Sequence, residues 1–211
     1  MRLFPIFLKV KSRPCLVVGS GPIGEGKARG LLERGATVCI VGPRATETVR
    51  EWAKKGKVVW HRRSYKPSDL ASMFLVVVAT SSRKTNEHVY REAVRRRVLC
   101  NVVDDPAHCD FYYGAIVRRG PLQIAISTSG RSPALAQRLK RELGDQFGPD
   151  FGAWIEELGR ARRRLRATIK DPKRRQQSLH RLVSREEYAE FVRSKAMKGR
   201  VQSVKKISPK R

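Results

Sequence analysis

The chain has 211 residues, with 46 Lys and Arg against 19 Asp and Glu, a formal net charge of +27 at pH 7. Hydrophobic residues make up 40%, enough for a folded core, which excludes a disordered polyelectrolyte; the length fits one sizeable domain or two small ones. A field of this sign favours anionic partners: nucleic acid, acidic lipid, or a small molecule rich in carboxylate or phosphate.

The opening "MRLFPIFLKVKSRP" is too short and too broken by charge and proline for a signal peptide. No run approaches the ~18–20 apolar residues of a membrane helix, so a soluble cytoplasmic protein with no membrane partner is expected. Cys15, Cys39, Cys100 and Cys109 form no C-x-x-C pair and read as buried free thiols of a reducing compartment.

Strand and helix patterns then alternate. "CLVVG" is a short apolar strand, Ile23 to Arg34 a helix with Gly35 as its stop, and "TVCIVG" a second strand closed by Pro43. "ATETVREWAKKG" is a helix capped by Thr46 and ended by Gly56, and "KVVWH" is a third strand. "MFLVVVAT" is a continuous apolar run, as in a strand covered on both faces. "KTNEHVYREAVRRR" and "VLCNVV" supply another helix and a fifth strand. Alternation at this spacing implies a parallel sheet with right-handed crossovers, an α/β Rossmann-type unit. Past Asp104 the pattern changes: "FYYGAIVRRGPLQIAISTSG" reads as a β-hairpin turning at Gly120-Pro121. "SPALAQRLKRELGDQF" is a helix, and beyond Pro149 "FGAWIEELGRARRRLRATI", "PKRRQQSLHRLV" and "SREEYAEFVRSKA" are helical and increasingly basic. The end of the chain has few large apolar residues and is expected to fray.

Four stretches carry possible chemistry. Gly19-Ser20-Gly21-Pro22-Ile23-Gly24 has the spacing G-x-G-x-x-G between a strand and a helix. There the first glycine permits the tight turn, the second lets the backbone approach a pyrophosphate, and the third lets helix and strand pack closely. The helix N-terminus offers N–H groups and a positive dipole to phosphate, and Pro22 suits a first helical turn. The same glycines also serve a turn kept only for packing. The acid that commonly holds the ribose 2′-OH some 20 residues on is missing: Gly42-Pro43-Arg44 stands there, and Glu47 is late. Arg44 is either a surface arginine or a partner for an adenosine phosphate, which keeps NADP open.

"CNVVDDP" puts Asp104 and Asp105 just past the fifth strand, at the edge where open α/β sheets bind ligands. A carboxylate there can take a proton, or the pair simply makes a turn. "STSGRSP", from Ser127 to Pro133, offers small hydroxyls before a helix capped by Ser132, an arrangement that suits anions. "AHCD" places His108, Cys109 and Asp110 together, but adjacent residues rarely converge on one ion and no second cluster has zinc spacing, so no metal site is assigned. The basic helices lack a helix-turn-helix or zinc pattern and interleaved aromatics, so nucleic acid is not an expected partner.

These stretches resemble the siroheme synthase N-terminal module, the precorrin-2 dehydrogenase family. The likeness runs through "LFPIFLKVKSRPCLVVGSG", "ERGATVCIVGP" and "VVVATSSRKTNEHV", and is most specific in "CNVVDDPAHCDFYYGAIVRRGPLQIAISTSGRSPALAQRLKREL". It covers residues 2–195. Relatives commonly read G-G-G-x-V-A-x-R-K; here Ser20, Gly24 and Gly26 replace a glycine, an alanine and an arginine, and Lys27 is kept.

The resemblance implies an NAD-dependent dehydrogenase that oxidises precorrin-2 to sirohydrochlorin, some members also inserting iron. It implies a homodimer that exchanges the hairpin-and-helix region and shares the substrate cleft. It implies Asp104 as the essential carboxylate; Gly19, Gly21, Pro22, Ile23, Gly24, Pro43 and Arg44 along NAD; and Ser127, Thr128 and Ser129 on the substrate. The expected division is an NAD-binding Rossmann domain at 1–113, a dimerisation region at 114–148, a helical domain at 149–195 and a basic, disordered tail at 196–211. The chain is too short for the methyltransferase domain fused in some members, so methylation is expected from another protein. The competing class is a nucleotide-binding regulator or nucleic-acid-associated protein that uses its basic C-terminus.

Overall fold

The computed structural model describes residues 3–207. The chain divides into two compact units, Phe4–Tyr113 and the part from Gly114 onward.

The first unit alternates β1 (Pro14–Val18), α1 (Pro22–Leu32), β2 (Thr37–Val41), α2 (Glu47–Lys54), β3 (Val59–His61), β4 (Leu75–Val78), α3 (Arg83–Arg96) and β5 (Leu99–Val102). All five strands are parallel, in the order β3-β2-β1-β4-β5. Side chains of successive strand residues leave opposite faces, and the unbroken apolar strands use both. Cys15, Val17, Val38, Ile40, Leu75 and Val77 pack with Ala28 and Leu31 of α1 and Val49 of α2. Leu16, Val18, Val76, Val78, Cys100 and Val102 pack with Val89 and Ala93 of α3 and with Leu70 of a short 3₁₀ turn, Pro67–Leu70. Helices α2 and α3 begin where a capping side chain meets their first free N–H groups. Thr46 caps α2 by accepting from the Val49 N–H, and Ser82 caps α3 by accepting from the Thr85 N–H.

After β5 the chain folds back along that strand. Asn101 and Cys109 form an antiparallel bridge. The Asp110 N–H donates to the Cys100 carbonyl at 2.8 Å, and the Asp110 carboxylate accepts from the Cys100 N–H at 2.9 Å.

In the second unit β6 (Ala115–Arg119) and β7 (Leu122–Ile126) form the antiparallel hairpin. It is followed by α4 (Pro133–Gln146), α5 (Phe151–Thr168), α6 (Pro172–Arg181) and α7 (Arg185–Ile207). Arg119 ties the hairpin to the end of α4, donating to the carbonyls of Gly144 and Phe147, both at 2.7 Å. Phe151, Trp154 and Tyr188 stack together and join α5 to α7. The sequence reading expects a disordered tail from residue 196; α7 continues to Ile207, through lysines and arginines that are good helix formers. The last four residues of that expected tail, 208–211, lie outside the described residues.

Candidate dinucleotide-binding and proton-transfer site

The strand order reverses between β1 and β4, the switch point at which open parallel sheets hold ligands. The glycine turn stands there. Gly19 has φ +108, a value L side chains rarely adopt, and a Cβ on it would lie 2.2 Å from the Ala79 carbonyl oxygen at the end of β4. A Cβ on Gly24 would lie 1.9 Å from the Gly19 carbonyl oxygen, so this glycine brings α1 down onto the turn. Gly21 differs: its Cβ position is open, with nothing within 4 Å. It is the N-cap of α1 and has no side chain to satisfy the first N–H groups, which helix geometry leaves without internal partners. An open, positively polarised helix end above a tight turn suits a pyrophosphate. Ile23, 55% exposed beside it, offers an apolar surface for a bound dinucleotide to cover. Residues and shape therefore fit the cofactor.

Ser20 fastens this turn to the loop after β2. Its side chain, in a residue only 3% exposed, donates to the Arg44 carbonyl at 2.6 Å, and its own carbonyl accepts from the Thr46 N–H at 3.1 Å. Gly42 allows this approach, since a Cβ there would fall 2.0 Å from the Ser20 hydroxyl. Pro43 and Arg44 are exposed at the same place.

The end of β5 carries the carboxylate. Asp104 is exposed and has φ 61, left-handed for a non-glycine residue. The turn closes with the Asp105 N–H on the Val102 carbonyl at 3.2 Å. The pair makes a turn, and the turn leaves Asp104 exposed past the end of β5. The two aspartates differ in their surroundings. The Asp105 carboxylate lies 2.6 Å from His108 Nδ1, and that imidazole holds its pKa below the usual carboxylate range. No described residue hydrogen-bonds the Asp104 carboxylate.

Lys27 of α1 is the neighbour that residue-by-residue reading did not assign. Its ammonium lies 3.9 Å from the centre of the Tyr113 ring. Burial pushes its pKa down, and the nearby Asp104 and Cys109 oppose that. Its retention within the glycine-loop pattern was the available signal. Asn101 is also functional in the structural sense. Buried at the end of β5, it donates to the Phe111 carbonyl at 2.8 Å and to the Cys109 sulfur at 3.3 Å, holding the segment that follows Asp104.

Ser127, Thr128 and Ser129 belong to the second unit. Ser129 is left-handed at φ 52, and its N–H donates to the Ser127 hydroxyl at 3.1 Å. The Thr128 hydroxyl accepts from the Ser132 N–H at 3.1 Å, and the Ser132 hydroxyl caps α4 by accepting from the Leu135 N–H at 3.2 Å. The loop is a folded turn ahead of a capped helix. Among the described residues no three His, Cys, Asp or Glu side chains gather as a metal site, and no helix is long and apolar enough to cross a membrane.

A family model described as "Putative NAD(P)-binding" matches residues 6–115, and one described as "Sirohaem biosynthesis protein central" matches residues 119–146. A siroheme synthase of Nitrosococcus oceani is 37% identical over 169 residues, 80% of this chain and 36% of that protein. Siroheme synthase 3 of Aeromonas hydrophila is 36% identical over 183 residues, 87% of this chain and 39% of that protein. The chain therefore spans less than half the length of these curated relatives. Strand order, glycine turn and switch-point crevice define a Rossmann-type dinucleotide-binding protein. A solved structure titled "SirC, precorrin-2 dehydrogenase" matches with a TM-score of 0.80 at 25% identity, over 95% of this chain and 100% of that one. The chain belongs to the NAD(P)-binding family so described, in the group of siroheme synthase N-terminal modules and precorrin-2 dehydrogenases.

Proposed function

We propose that this chain oxidises precorrin-2 to sirohydrochlorin with NAD⁺ and that Asp104 takes the proton. The observation that carries the reading is Asp104 itself, an exposed carboxylate with no hydrogen bond from the described residues, presented by a left-handed turn at the ligand edge of the sheet. The names of the relatives and of the matching structure support the substrate. The reaction removes a hydride and a proton, and bound NAD⁺ supplies the hydride acceptor. Gly19, Gly21, Pro22, Ile23, Gly24, Pro43 and Arg44 hold the dinucleotide. Ser127, Thr128 and Ser129 bind carboxylates of the tetrapyrrole, and the positive field of the chain draws in such a polyanion. The reading extends to a cytoplasmic homodimer, with 1–113 as the NAD-binding domain, 114–148 as the dimerisation region, 149–195 as a helical domain and 196–211 as a basic tail. Iron insertion would use the same Asp104 to accept pyrrole N–H protons, with iron as a substrate.

The test mixes the protein, precorrin-2 and NAD⁺ and follows NADH absorbance together with the sirohydrochlorin spectrum. Asp104→Ala should abolish NADH formation with its circular dichroism intact, since placing alanine in a left-handed turn costs only about 1–2 kcal/mol. Full turnover by the folded variant refutes the assignment. Salt-sensitive DNA binding without any turnover would favour the regulator that uses its basic C-terminus.

A further inference from the structure

The half-buried cations of the first unit are mostly paired. Arg63 meets Asp69, Arg96 meets Glu92, and on α1 Arg29 meets Glu25 at 2.5 Å. Lys27 departs from this pattern. It is half-buried, flanked on α1 by the buried Gly24 and Ala28. Its ammonium rests on the Tyr113 ring at 3.9 Å, and among the described residues it has neither an ion pair nor a hydrogen bond. Asp104 is near enough to oppose the effect of burial on Lys27 and too far to bond it. Withdrawing a charge from water is costly unless the charge is paired, and an aromatic face offsets only part of that cost. The packing thus leaves an ammonium ready for an anion that the described residues do not supply.

The place of this ammonium selects the anion. The strand order β3-β2-β1-β4-β5 puts Pro43 and Arg44 on the β2 side of the glycine turn and Asp104 on the β5 side. Lys27 reaches towards Asp104, Cys109 and Tyr113, all in the segment that follows β5. It also stands beyond the first turn of α1, where the free N–H groups that suit a pyrophosphate lie. The anion therefore belongs to the molecule that gives its proton to Asp104, not to the dinucleotide.

We infer that the Lys27 ammonium binds a peripheral carboxylate of the tetrapyrrole, beside the carbon whose proton goes to Asp104. The inference rests on the function proposed above and deepens it by naming a substrate-binding residue in the first unit. An ammonium–carboxylate pair is a charge-assisted hydrogen bond. It fixes the edge of the macrocycle and leaves the Asp104 carboxylate unbonded and able to act as a base.

Two measurements on the intact chain test this without turnover, with the product sirohydrochlorin and NAD⁺ as probes. In the first, brief acetic anhydride labelling is read at Lys27 by peptide mass spectrometry. Saturating sirohydrochlorin should slow the labelling severalfold, and NAD⁺ alone should leave it unchanged. In the second, sirohydrochlorin is titrated by its absorbance. Lys27→Met keeps an unbranched chain against Tyr113 and should bind sirohydrochlorin about tenfold more weakly, as expected for one lost charge-assisted pair, with its NAD⁺ affinity retained. Lys27→Arg should recover most of the loss, because arginine keeps the charge and stacks on aromatic faces. Lys57→Met makes the same change of net charge from an exposed position before β3, at the other edge of the sheet. It should weaken binding by less than about twofold, since a remote exposed charge is screened by salt. Circular dichroism confirms that each variant is folded. Protection of Lys27 by NAD⁺ alone would assign the ammonium to a dinucleotide phosphate and overturn the inference. So would sirohydrochlorin that binds without slowing the labelling, or a Lys27→Met protein that binds it as tightly as the parent. In those outcomes the parent still binds the tetrapyrrole, and only this inference fails. A parent that binds no sirohydrochlorin refutes the inference and the proposed function together.

Discussion

The Lys27 ammonium sits 3.9 Å from the centre of the Tyr113 ring, so α1 meets the segment after β5 through a cation–π contact. Such contacts contribute about 0.5–1 kcal/mol at exposed sites. Burial holds the Lys27 pKa below its ordinary 10.5, and Asp104 opposes that shift. Replacing Asp104 by asparagine removes the opposing charge, so the Lys27 pKa should fall further. More neutral amine is then present at mildly alkaline pH, and Lys27 should acylate faster in Asp104→Asn than in the parent. Brief acetic anhydride labelling with peptide mass spectrometry measures this. Unchanged labelling in the variant would show that the two groups are not electrostatically coupled.

Ser20 and Gly42 should be energetically coupled. A Cβ at residue 42 would meet the Ser20 hydroxyl at 2.0 Å, and overpacking of this kind costs about 1–3 kcal/mol. Gly42→Ala should therefore lower the urea midpoint in the parent. In a Ser20→Gly background most of that loss should disappear, since the clashing hydroxyl is gone. A double-mutant cycle reads the difference. Additive effects would mean that the hydroxyl is not what excludes a side chain from position 42.

Acid should weaken the first unit through Asp69. Its side chain is only 5% exposed, and burial pushes the carboxyl up. Two hydrogen bonds from Arg63, at 2.6 and 2.9 Å, and one from the Lys66 N–H, at 2.8 Å, outweigh this and hold its pKa below the ordinary 3.8. The folded state therefore binds fewer protons than the unfolded one. The stabilisation is complete above 3.8 and is lost as pH falls through the lower folded value. Asp69→Asn should be less stable at neutral pH by about 1–3 kcal/mol and should show a flatter decline in stability on acidification. Parallel pH profiles of the two proteins would remove Asp69 from the acid response.

Two thiols should be silent in the native protein. Burial pushes Cys15 up to about 11 and Cys100 up to about 12, and both residues are fully buried. The thiolate is the reactive form, so at pH near 8 neither should be alkylated until the chain unfolds. Cys39 and Cys109, partly exposed, should react first. Rapid native labelling of Cys15 or Cys100 by iodoacetamide would contradict the packing around β1 and β5.

Strand and helix identities were legible because the first unit's core writes itself into local runs. β4 is a four-residue apolar strand buried on both faces, and the caps at Thr46 and Ser132 are residues that cap by their own chemistry. The position of Asp104 was legible too, since it directly follows a strand run. Its left-handed backbone was not, nor was the separation of Asp104 from Asp105. That separation depends on His108 reaching Asp105. The fold-back after β5 depends on the buried Asn101 amide holding Phe111, ten residues on; no periodicity encodes such a contact. Lys27 stayed hidden because the rotation of α1, which brings it over Tyr113, is set by how closely Gly24 lets the helix approach the turn.

The fold-back has a consequence for how the protein behaves in a crowded solution. An unpaired outer strand is a template on which another chain can add a strand and begin to aggregate. Along β5 that template is occupied: the Cys100 N–H and carbonyl are taken by Asp110, and Asn101 is bridged to Cys109. At the opposite side the outermost strand, β3, has only three residues, too few to seed a lasting addition. The sheet is closed to extension at one border and truncated at the other, so neither border invites a second copy to continue the sheet.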